Sequence, residues 1–396
     1  MAPAIASLRA PNACRFARVV RTKSTCARLR ATAGDRSKSL RVHGAAVGAA
    51  PAGDLKHVIE RLMDRENLSL DESAAALNTL LTLDDPAQTA AFLVLLRAKG
   101  ETPEEIAGLA SAMRANAVRV DCGAGVLDIA GTGGDGIGSV NISTGSAILA
   151  AAAGAKVAKH GNRSVSSMCG SADVLEALGV AVELGPESMA KCVAKTSVGF
   201  MYAPRYHPVM RAVVPVRKSL GVRTAFNILG PMLNPAAADF ALVGVYSPDI
   251  IPLMANAFKL LGTKRALVVH SLGMDELTPM GPATVAEVKE GKMVQYEFEP
   301  LDVGIKRCEV ADLKGGDRFV NAAMLRDTLS GTPGAVADAL ALNAGVALNA
   351  AGFGDTVEDS VQLAMEVQRS GKGLETLDAW VAYSQELKAE EDKTSK

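Results

Sequence analysis

VLDIAGTGGDGIGSVNISTGS, residues 126–146, is the most informative stretch of this 396-residue chain. Residues 126–130 form a short apolar run of the kind that makes a buried strand. The run empties into glycines at 131, 133, 134, 136 and 138, followed by Asn141, Ser143 and Thr144. Glycine lets the backbone take positive φ and, lacking a side chain, lets a ligand come close. Successive exposed N–H groups in such a turn make an anion-binding nest. Residues 147–153 are helix-prone, so the free N–H groups and dipole at a helix start reinforce that nest. Strand, glycine loop, hydroxyls and helix start together describe a phosphate cradle.

Three kinds of phosphate ligand compete for it. Gly131, Gly133 and Gly136 satisfy the GxGxxG spacing of dinucleotide sites, which also require an acid about 20 residues further on for the ribose. No acid occurs between Asp135 and Asp173; Lys156, Lys159, His160 and Arg163 occupy that interval. The GxxxxGK[ST] loop of nucleoside triphosphatases is absent. A site for a phosphorylated sugar remains. A glycine-rich connection without a ligand is the plain alternative, and it is costly in chain entropy.

Around the loop the pattern is α/β. Strands are expected at 126–130, 155–158, 198–203, 242–246, 266–270 and 294–298. Helices are expected near 147–153, 171–178, 187–195, 249–261, 334–350 and 357–370. The alternation predicts a mainly parallel sheet with helices on its faces. Residues 55–118 read as helical. Ser69 with Glu72 and Thr102 with Glu105 form capping boxes, Asp85 caps ahead of Pro86, and residues 90–96 are apolar all round. The expected organisation is a disordered leader over 1–50 and a small helical domain over 54–121, which 204–235 rejoins as a hinge. A larger α/β domain over 122–203 and 236–385 and a frayed tail over 386–396 complete it.

Hydrophobic residues make up 48% of the chain, ample for a core. The net charge of −1 hides an asymmetry: residues 1–50 carry +9, with Asp35 their only acid, and the remainder carries −10. The basic segment is rich in Arg, Ala and Ser and lacks a long apolar run, which reads as an organelle transit peptide rather than a secretory signal. A basic arm that binds a partner is the alternative. No run of about 20 apolar residues occurs, so no membrane span is expected. Cys122, Cys169, Cys192 and Cys308 form no CxxC pair and read as reduced thiols.

Three further clusters carry chemistry. Lys159-His160-Gly161-Asn162-Arg163-Ser164-Val165-Ser166-Ser167 follows a strand, and loops at the carboxyl ends of parallel strands bind ligands. A solvated basic turn is the alternative for Lys159 and Arg163. Asp275-Glu276 follows the strand at 266–270; adjacent carboxylates suit Mg²⁺, a hard cation that takes oxygen ligands, although such pairs are often merely solvated. Tyr206-His207-Pro208 precedes Pro215-Val216-Arg217-Lys218. An arginine fork holds a carboxylate bidentately, and spacing leaves Arg211, Arg217, Lys218 and Arg223 all open.

GTGGDGIGSVNIST at 131–144, KHGNRSVSSMCGSADVLEALG at 159–179, TAFNILGPMLNP at 224–235 and the DELTP run from Asp275 resemble the anthranilate phosphoribosyltransferase family, over about 55–372. The resemblance implies transfer of the phosphoribosyl group of phosphoribosyl pyrophosphate (PRPP) to the amine of anthranilate. It implies a nucleoside phosphorylase/phosphoribosyltransferase class II-like fold, Mg²⁺ as cofactor and a homodimer through the helical domain. With the leader, it implies a plastid location, the mitochondrion being the alternative. It places PRPP on Gly131, Gly134, Asp135, Asn141, Ser143, Thr144, Lys159 and Ser171, with Ser139, Arg163 and Ser167 of the same motifs. Ser139 stands where relatives often have Thr. It places anthranilate on Gly131, Asn162 and Arg217, and Mg²⁺ on Ser143, Asp275 and Glu276. Lys159, His160 and Asn162 are the candidate catalytic residues, with His160 the candidate acceptor of the amine proton. Two other readings share the fold. A pyrimidine nucleoside phosphorylase-like enzyme needs neither the acidic pair nor a carboxylate-binding arginine. A non-catalytic nucleic-acid-binding relative presents a basic surface, which a charge of −10 opposes.

Overall fold

A computed structural model describes residues 55–83, 85–164 and 168–394. The expected leader over 1–50 and Ser167 lie outside the described residues. Four helices come first: α1 (Leu55–Met63), α2 (Leu70–Leu83), α3 (Pro86–Lys99) and α4 (Pro103–Ala115). Their starts are sealed by the expected side chains. Asp85 accepts from the N–H groups of Ala87 and Gln88 at 2.9 and 3.1 Å, and Thr102 and Glu105 exchange bonds as a capping box. Ser69 and Glu72 do the same. Each such cap contributes about 1 kcal/mol. Along α3, Phe92, Leu93 and Leu96 are buried, but Val94 is 41% exposed, so the helix is not buried all round.

The α/β part begins with β1 (Val126–Gly131), α5 (Ile142–Ala152), β2 (Lys156–Gly161), α6 (Ser171–Leu178), α7 (Pro186–Thr196) and β3 (Val198–Tyr202). Short helices α8 (Ala203–Tyr206), α9 (Val214–Leu220) and α10 (Phe226–Leu229) interrupt it. Then follow β4 (Phe240–Gly244), α11 (Ile251–Leu260), β5 (Arg265–His270), β6 (Ala283–Lys289) and β7 (Lys292–Phe298). The chain closes with α12 (Arg318–Leu329), α13 (Ala335–Ala350), α14 (Val357–Arg369) and α15 (Lys372–Thr394).

Among the described residues seven strands form one sheet, in the order β3-β2-β1-β4-β5-β6-β7. β1 to β5 run parallel, while β6 and β7 are antiparallel additions at one edge. β6 is not among the expected strands; it meets β7 through Glu290 and Gly291, both at positive φ, as a tight hairpin turn requires. Side chains alternate across the strands. Leu242, Leu267, Val269 and Val285 join the apolar cluster of α5 and α13. Ala241, Val243, Ala266, Val268, Ala286 and Val288 join the other, which holds α11 and α1–α4. Val213, Phe226, Ile228, Leu229 and Met232 from the interrupting segment belong to this second cluster too.

The tail expected to fray from Glu386 is instead helical to Thr394. α15 returns to helices and loops made long before it. Ser384 accepts from the Ala181 N–H at 3.0 Å, Gln385 donates to the Gly179 carbonyl at 2.8 Å, and Glu391 accepts from the Gly185 N–H at 2.8 Å. Gly185 is the N-cap of α7, so Glu391 places a carboxylate at the positive end of that helix. Among the described residues no helix is long and apolar enough to cross a membrane.

From β1 the chain winds to β2 and β3 on one flank, then returns to set β4 on the other. The carboxyl ends of β1 and β4 are therefore a topological switch point, where open α/β sheets bind their ligands.

Candidate active site

At that switch point Gly131 ends β1 in register with Gly244 at the end of β4. The segment after β5 crosses both. A Cβ at Gly244 would lie 1.4 Å from the Asp275 carbonyl oxygen, and one at Gly131 would lie 2.5 Å from Asp275 Oδ2. Bare backbone at both positions lets the acid reach the strand ends. Asp275 there accepts from the Gly133 N–H at 2.6 Å. Asn343 of α13 steadies the same segment: its amide accepts from the Leu277 N–H at 3.1 Å and donates to the Leu277 carbonyl at 2.7 Å.

Asp135, Asp275 and Glu276 each turn a carboxylate oxygen to a common point, all within 4.8 Å of one another. Burial, and after it the neighbouring carboxylates, hold Asp275 and Glu276 above the ordinary carboxylate range. Glu276 Oε2 is buried without a hydrogen-bond partner. An oxygen-only donor set whose negative charge Lys159 only partly offsets fits a hard divalent cation. Asp135, expected as a PRPP contact, thus stands with the acidic pair. Ser143, expected on the metal, accepts from Lys159 Nζ at 3.3 Å.

Lys159 and His160 lie in β2 and are buried. Lys159 also donates to the Ile129 carbonyl. Burial lowers its pKa, opposed by Asp128, Glu276 and Asp275. His160 Nδ1 donates to the Gly230 carbonyl at 3.2 Å, while its buried Nε2 has no partner. The ring stands edge-on to His207, with centroids 5.1 Å apart. Burial, and then His207, push His160 down to about 3. The ring keeps a free Nε2 lone pair, but its lowered proton affinity and its burial make His160 a weak candidate for taking the amine proton. Asp128, inside β1, accepts from the His160 N–H at 3.2 Å and from Asn234 Nδ2 at 2.6 Å. Burial pushes it up to about 6.

The glycine loop has a wall that no motif in the sequence announces. The Val140 N–H donates to the Leu313 carbonyl at 2.9 Å, and the Gly315 N–H to the Gly138 carbonyl at 3.0 Å. Ser139 bridges to Lys314. Asn141, the residue before α5, accepts from Asn321 at 2.9 Å and donates to the Cys169 carbonyl at 3.1 Å. Thr144 Oγ1 is buried without a partner at the start of α5. A Cβ on Gly161 would lie 3.4 Å from Ser171 Cβ, so the end of β2 adjoins the start of α6. Asn162 accepts from the Arg163 N–H at 2.7 Å.

The arginines differ. Arg163 pairs twice with Glu176 at 2.6 Å, once with Asp173 at 3.1 Å, and donates to the Tyr202 hydroxyl at 3.2 Å. Its charge is committed to α6. Arg217 of α9 is half-buried with its guanidinium 5.3 Å from the centre of the Phe226 ring. Burial lowers its pKa and no carboxylate faces it among the described residues. Arg223 is exposed, donates to the Gly134 carbonyl and lies 3.9 Å over the Tyr246 ring. Arg211 and Lys218 are exposed. Tyr206 and His207 are buried and donate to the backbone, at the Leu184 and Leu233 carbonyls, with His207 Nδ1 left without a partner.

Residues 123–374 match the a/b domain of a glycosyl transferase family, and residues 56–117 match its helical bundle domain. An anthranilate phosphoribosyltransferase of Rubrobacter xylanophilus is 47% identical over 336 residues, covering 84% of this chain and 98% of that one. The crystal structure of the Thermus thermophilus enzyme of that name superposes with a TM-score of 0.79 at 44% identity, covering 83% of this chain and 99% of the other. The Saccharomyces cerevisiae enzyme in complex with PRPP and Mg gives 0.77 at 27% identity, covering 85% and 99%. The same yeast protein in complex with 4-fluoroanthranilate gives 0.76, also at 27% identity, covering 84% and 98%. With that identity sustained over nearly the whole of its relatives, the chain belongs to the anthranilate phosphoribosyltransferase family.

Proposed function

We propose that this chain transfers the phosphoribosyl group of PRPP to the amine of anthranilate, giving N-(5-phosphoribosyl)anthranilate and pyrophosphate, a step of L-tryptophan biosynthesis. The observation that carries the reading is a pair of unmatched charges in one chain. Three carboxylates converge at the switch point with more negative charge than the nearby Lys159 ammonium offsets, and Arg217 stands half-buried with no carboxylate facing it among the described residues. The yeast complexes with PRPP, Mg and 4-fluoroanthranilate support the assignment of a cation to the first and a carboxylate to the second.

Asp135, Asp275 and Glu276 would hold Mg²⁺, which when bound supplies charge neutralisation for the departing pyrophosphate. The glycine loop, the start of α5 and Lys159 hold phosphate oxygens, with Ser171 at the adjoining helix start. Ser143 lies within reach of the Lys159 ammonium and serves the same group. Arg217 takes the anthranilate carboxylate as a fork, with Gly131 and Asn162 beside the ring. As the C1–O bond to pyrophosphate breaks, the aniline nitrogen bonds to C1 from the opposite face. An arylammonium is acidic enough to lose its proton to water, which the neutral, tethered His160 does not need to receive. Holding both substrates in line contributes up to roughly 7–11 kcal/mol. A pyrimidine nucleoside phosphorylase would leave the acidic cluster and Arg217 unused, and a nucleic-acid-binding relative would set three carboxylates against a phosphate backbone.

Two further proposals accompany this reading. The +9 segment over 1–50 directs the chain to a plastid, supported by its composition and by family matches that begin at residue 56. The chain forms a homodimer through its helices, supported by exposed Met63, Val94 and Val214 on α1, α3 and α9, of which α3 touches the other two.

The test mixes the purified protein with anthranilate, PRPP and Mg²⁺. Anthranilate fluorescence should decay and EDTA should stop the decay. Unchanged fluorescence, with phosphorolysis of a pyrimidine nucleoside in its place, would overturn the assignment.

A further inference from the structure

Arg223 lies between α9 and α10 and reaches back 89 residues to the Gly134 carbonyl. Its guanidinium rests 3.9 Å over the Tyr246 ring. The Tyr246 N–H in turn donates to Thr132 Oγ1 at 3.2 Å, so the aromatic shelf and the glycine loop are tied together. No carboxylate pairs with Arg223 among the described residues, and the residue is exposed. It contributes nothing to core packing, yet its guanidinium is fixed on both an edge and a face.

What it fixes is a stretch with little conformational preference of its own. Gly133, Gly134 and Gly136 all take positive φ, at 68°, 84° and 80°, and such a run is open to many backbone conformations. Asp135 sits in the middle of it. Asp275 accepts from the Gly133 N–H, and Asn343 steadies the Asp275-Glu276 segment through both backbone groups of the adjoining Leu277. Asp135 has no anchor of that kind outside the site: its carboxylate accepts from the Ile137 N–H at 3.2 Å within the loop and otherwise meets the Asp275 carboxyl it is set against. The peptide that precedes it is the one whose carbonyl Arg223 grips.

We propose that Arg223 is a positioning residue: by holding the Gly134 peptide it sets the Asp135 carboxylate against Asp275 and Glu276, and so couples the segment that carries Arg217 to the cation site. This rests on the reading of those acids as a divalent-cation site. α9 ends at Leu220, three residues before Arg223, so the helix that presents Arg217 and the loop that presents Asp135 share one short tether. A displacement at either is felt at the other.

Mn²⁺ is a suitable probe, because free and bound ion are distinguished by electron paramagnetic resonance without turnover. Full-length wild type, Asp275→Asn/Glu276→Gln, Arg223→Ala, Arg223→Lys, Tyr246→Leu and Tyr246→Phe are compared. Outer partners of metal ligands commonly change affinity 10- to 100-fold when removed, so Arg223→Ala should weaken Mn²⁺ binding by about tenfold. Arg223→Lys keeps a donor for the Gly134 carbonyl and should recover part of the loss. Tyr246→Leu removes the cation–π shelf and should weaken binding roughly two- to fivefold, whereas Tyr246→Phe should bind as wild type. Because Arg223 is exposed, Arg223→Ala should melt as wild type, which separates positioning from unfolding. Wild-type Mn²⁺ affinity in Arg223→Ala overturns the inference. Equal binding by wild type and the Asp275/Glu276 double variant overturns it as well, and shows that the cation reading itself has failed.

Discussion

The turn after β2 and helix α9 each carry an arginine, and the two have opposite surroundings. Arg163 finds Glu176, Asp173 and the Tyr202 hydroxyl within hydrogen-bond distance; Arg217 finds the face of Phe226. The acids divide in the same way. Asp128 receives the His160 N–H and the Asn234 amide inside β1. Asp135, Asp275 and Glu276 chiefly face one another. Charge that the chain neutralises with its own side chains fastens elements together. Charge left uncompensated at partial burial is costly to the protein alone, and a ligand that supplies the missing partner recovers that cost.

Asp275→Asn together with Glu276→Gln tests the contrast most severely. It should lower kcat/KM by roughly 10²- to 10³-fold and raise the Mg²⁺ concentration needed for half-maximal rate. A metal titration that coincides with wild type would erase the distinction between these acids and Asp128. Next in size is Arg217→Ala. Loss of a charged hydrogen-bonding partner should raise the anthranilate KM about 10- to 100-fold, while calorimetry shows PRPP binding unchanged. Equal damage to both substrates would reclassify Arg217 with the fold-holding charges.

His160 sharpens the comparison on its own axis, one ring nitrogen satisfied and the other not. Its pKa is about 3 folded against 6.5 unperturbed, so between those values the unfolded chain binds the extra proton. The stability contributed by keeping His160 neutral is complete above about pH 6.5 and is lost as pH falls toward about 3. Melting of His160→Gln should therefore fall less steeply than wild type from about pH 7 to about pH 5; parallel curves would contradict it. The smallest effect belongs to Arg163→Met. A partly exposed, bidentate pair contributes about 1 kcal/mol, or about 2–4 °C in Tm, with both KM values unchanged. A large rise in the PRPP KM would return Arg163 to the substrate ligands.

The parts of this site that are contiguous in sequence are legible in the sequence alone. The glycine loop, Lys159–Asn162 and Asp275-Glu276 each announce their chemistry within a few residues, because a turn or an adjacent pair is a local object. What escapes such a reading is set by distant partners. Nothing near Asn343 in sequence points to Leu277, 66 residues away, or near Asn234 to Asp128, 106 residues away. Gly244 looks like an ordinary strand residue until the Asp275 carbonyl is found against it. Arg163 looks like a phosphate ligand because its neighbours in the motif do; only the fold of α6 reveals Glu176 as its partner. The charged run from Glu386 reads as solvated because the donor that Glu391 accepts from, the Gly185 N–H, lies 206 residues earlier.

That final helix has a consequence for how the protein is made. α15 buries Trp380, the single tryptophan of the chain, and Leu387 and lies against α5 and α7. These contacts close only when the α15 segment, Lys372–Thr394, has been translated and has cleared the ribosomal exit tunnel. Until then the backbone N–H groups of Ala181 and Gly185 lack their native acceptors, and the nascent chain exposes the seam where α15 will lie. A premature stop codon after Gly371 would therefore remove no residue of the reaction centre and still leave an incomplete, aggregation-prone core.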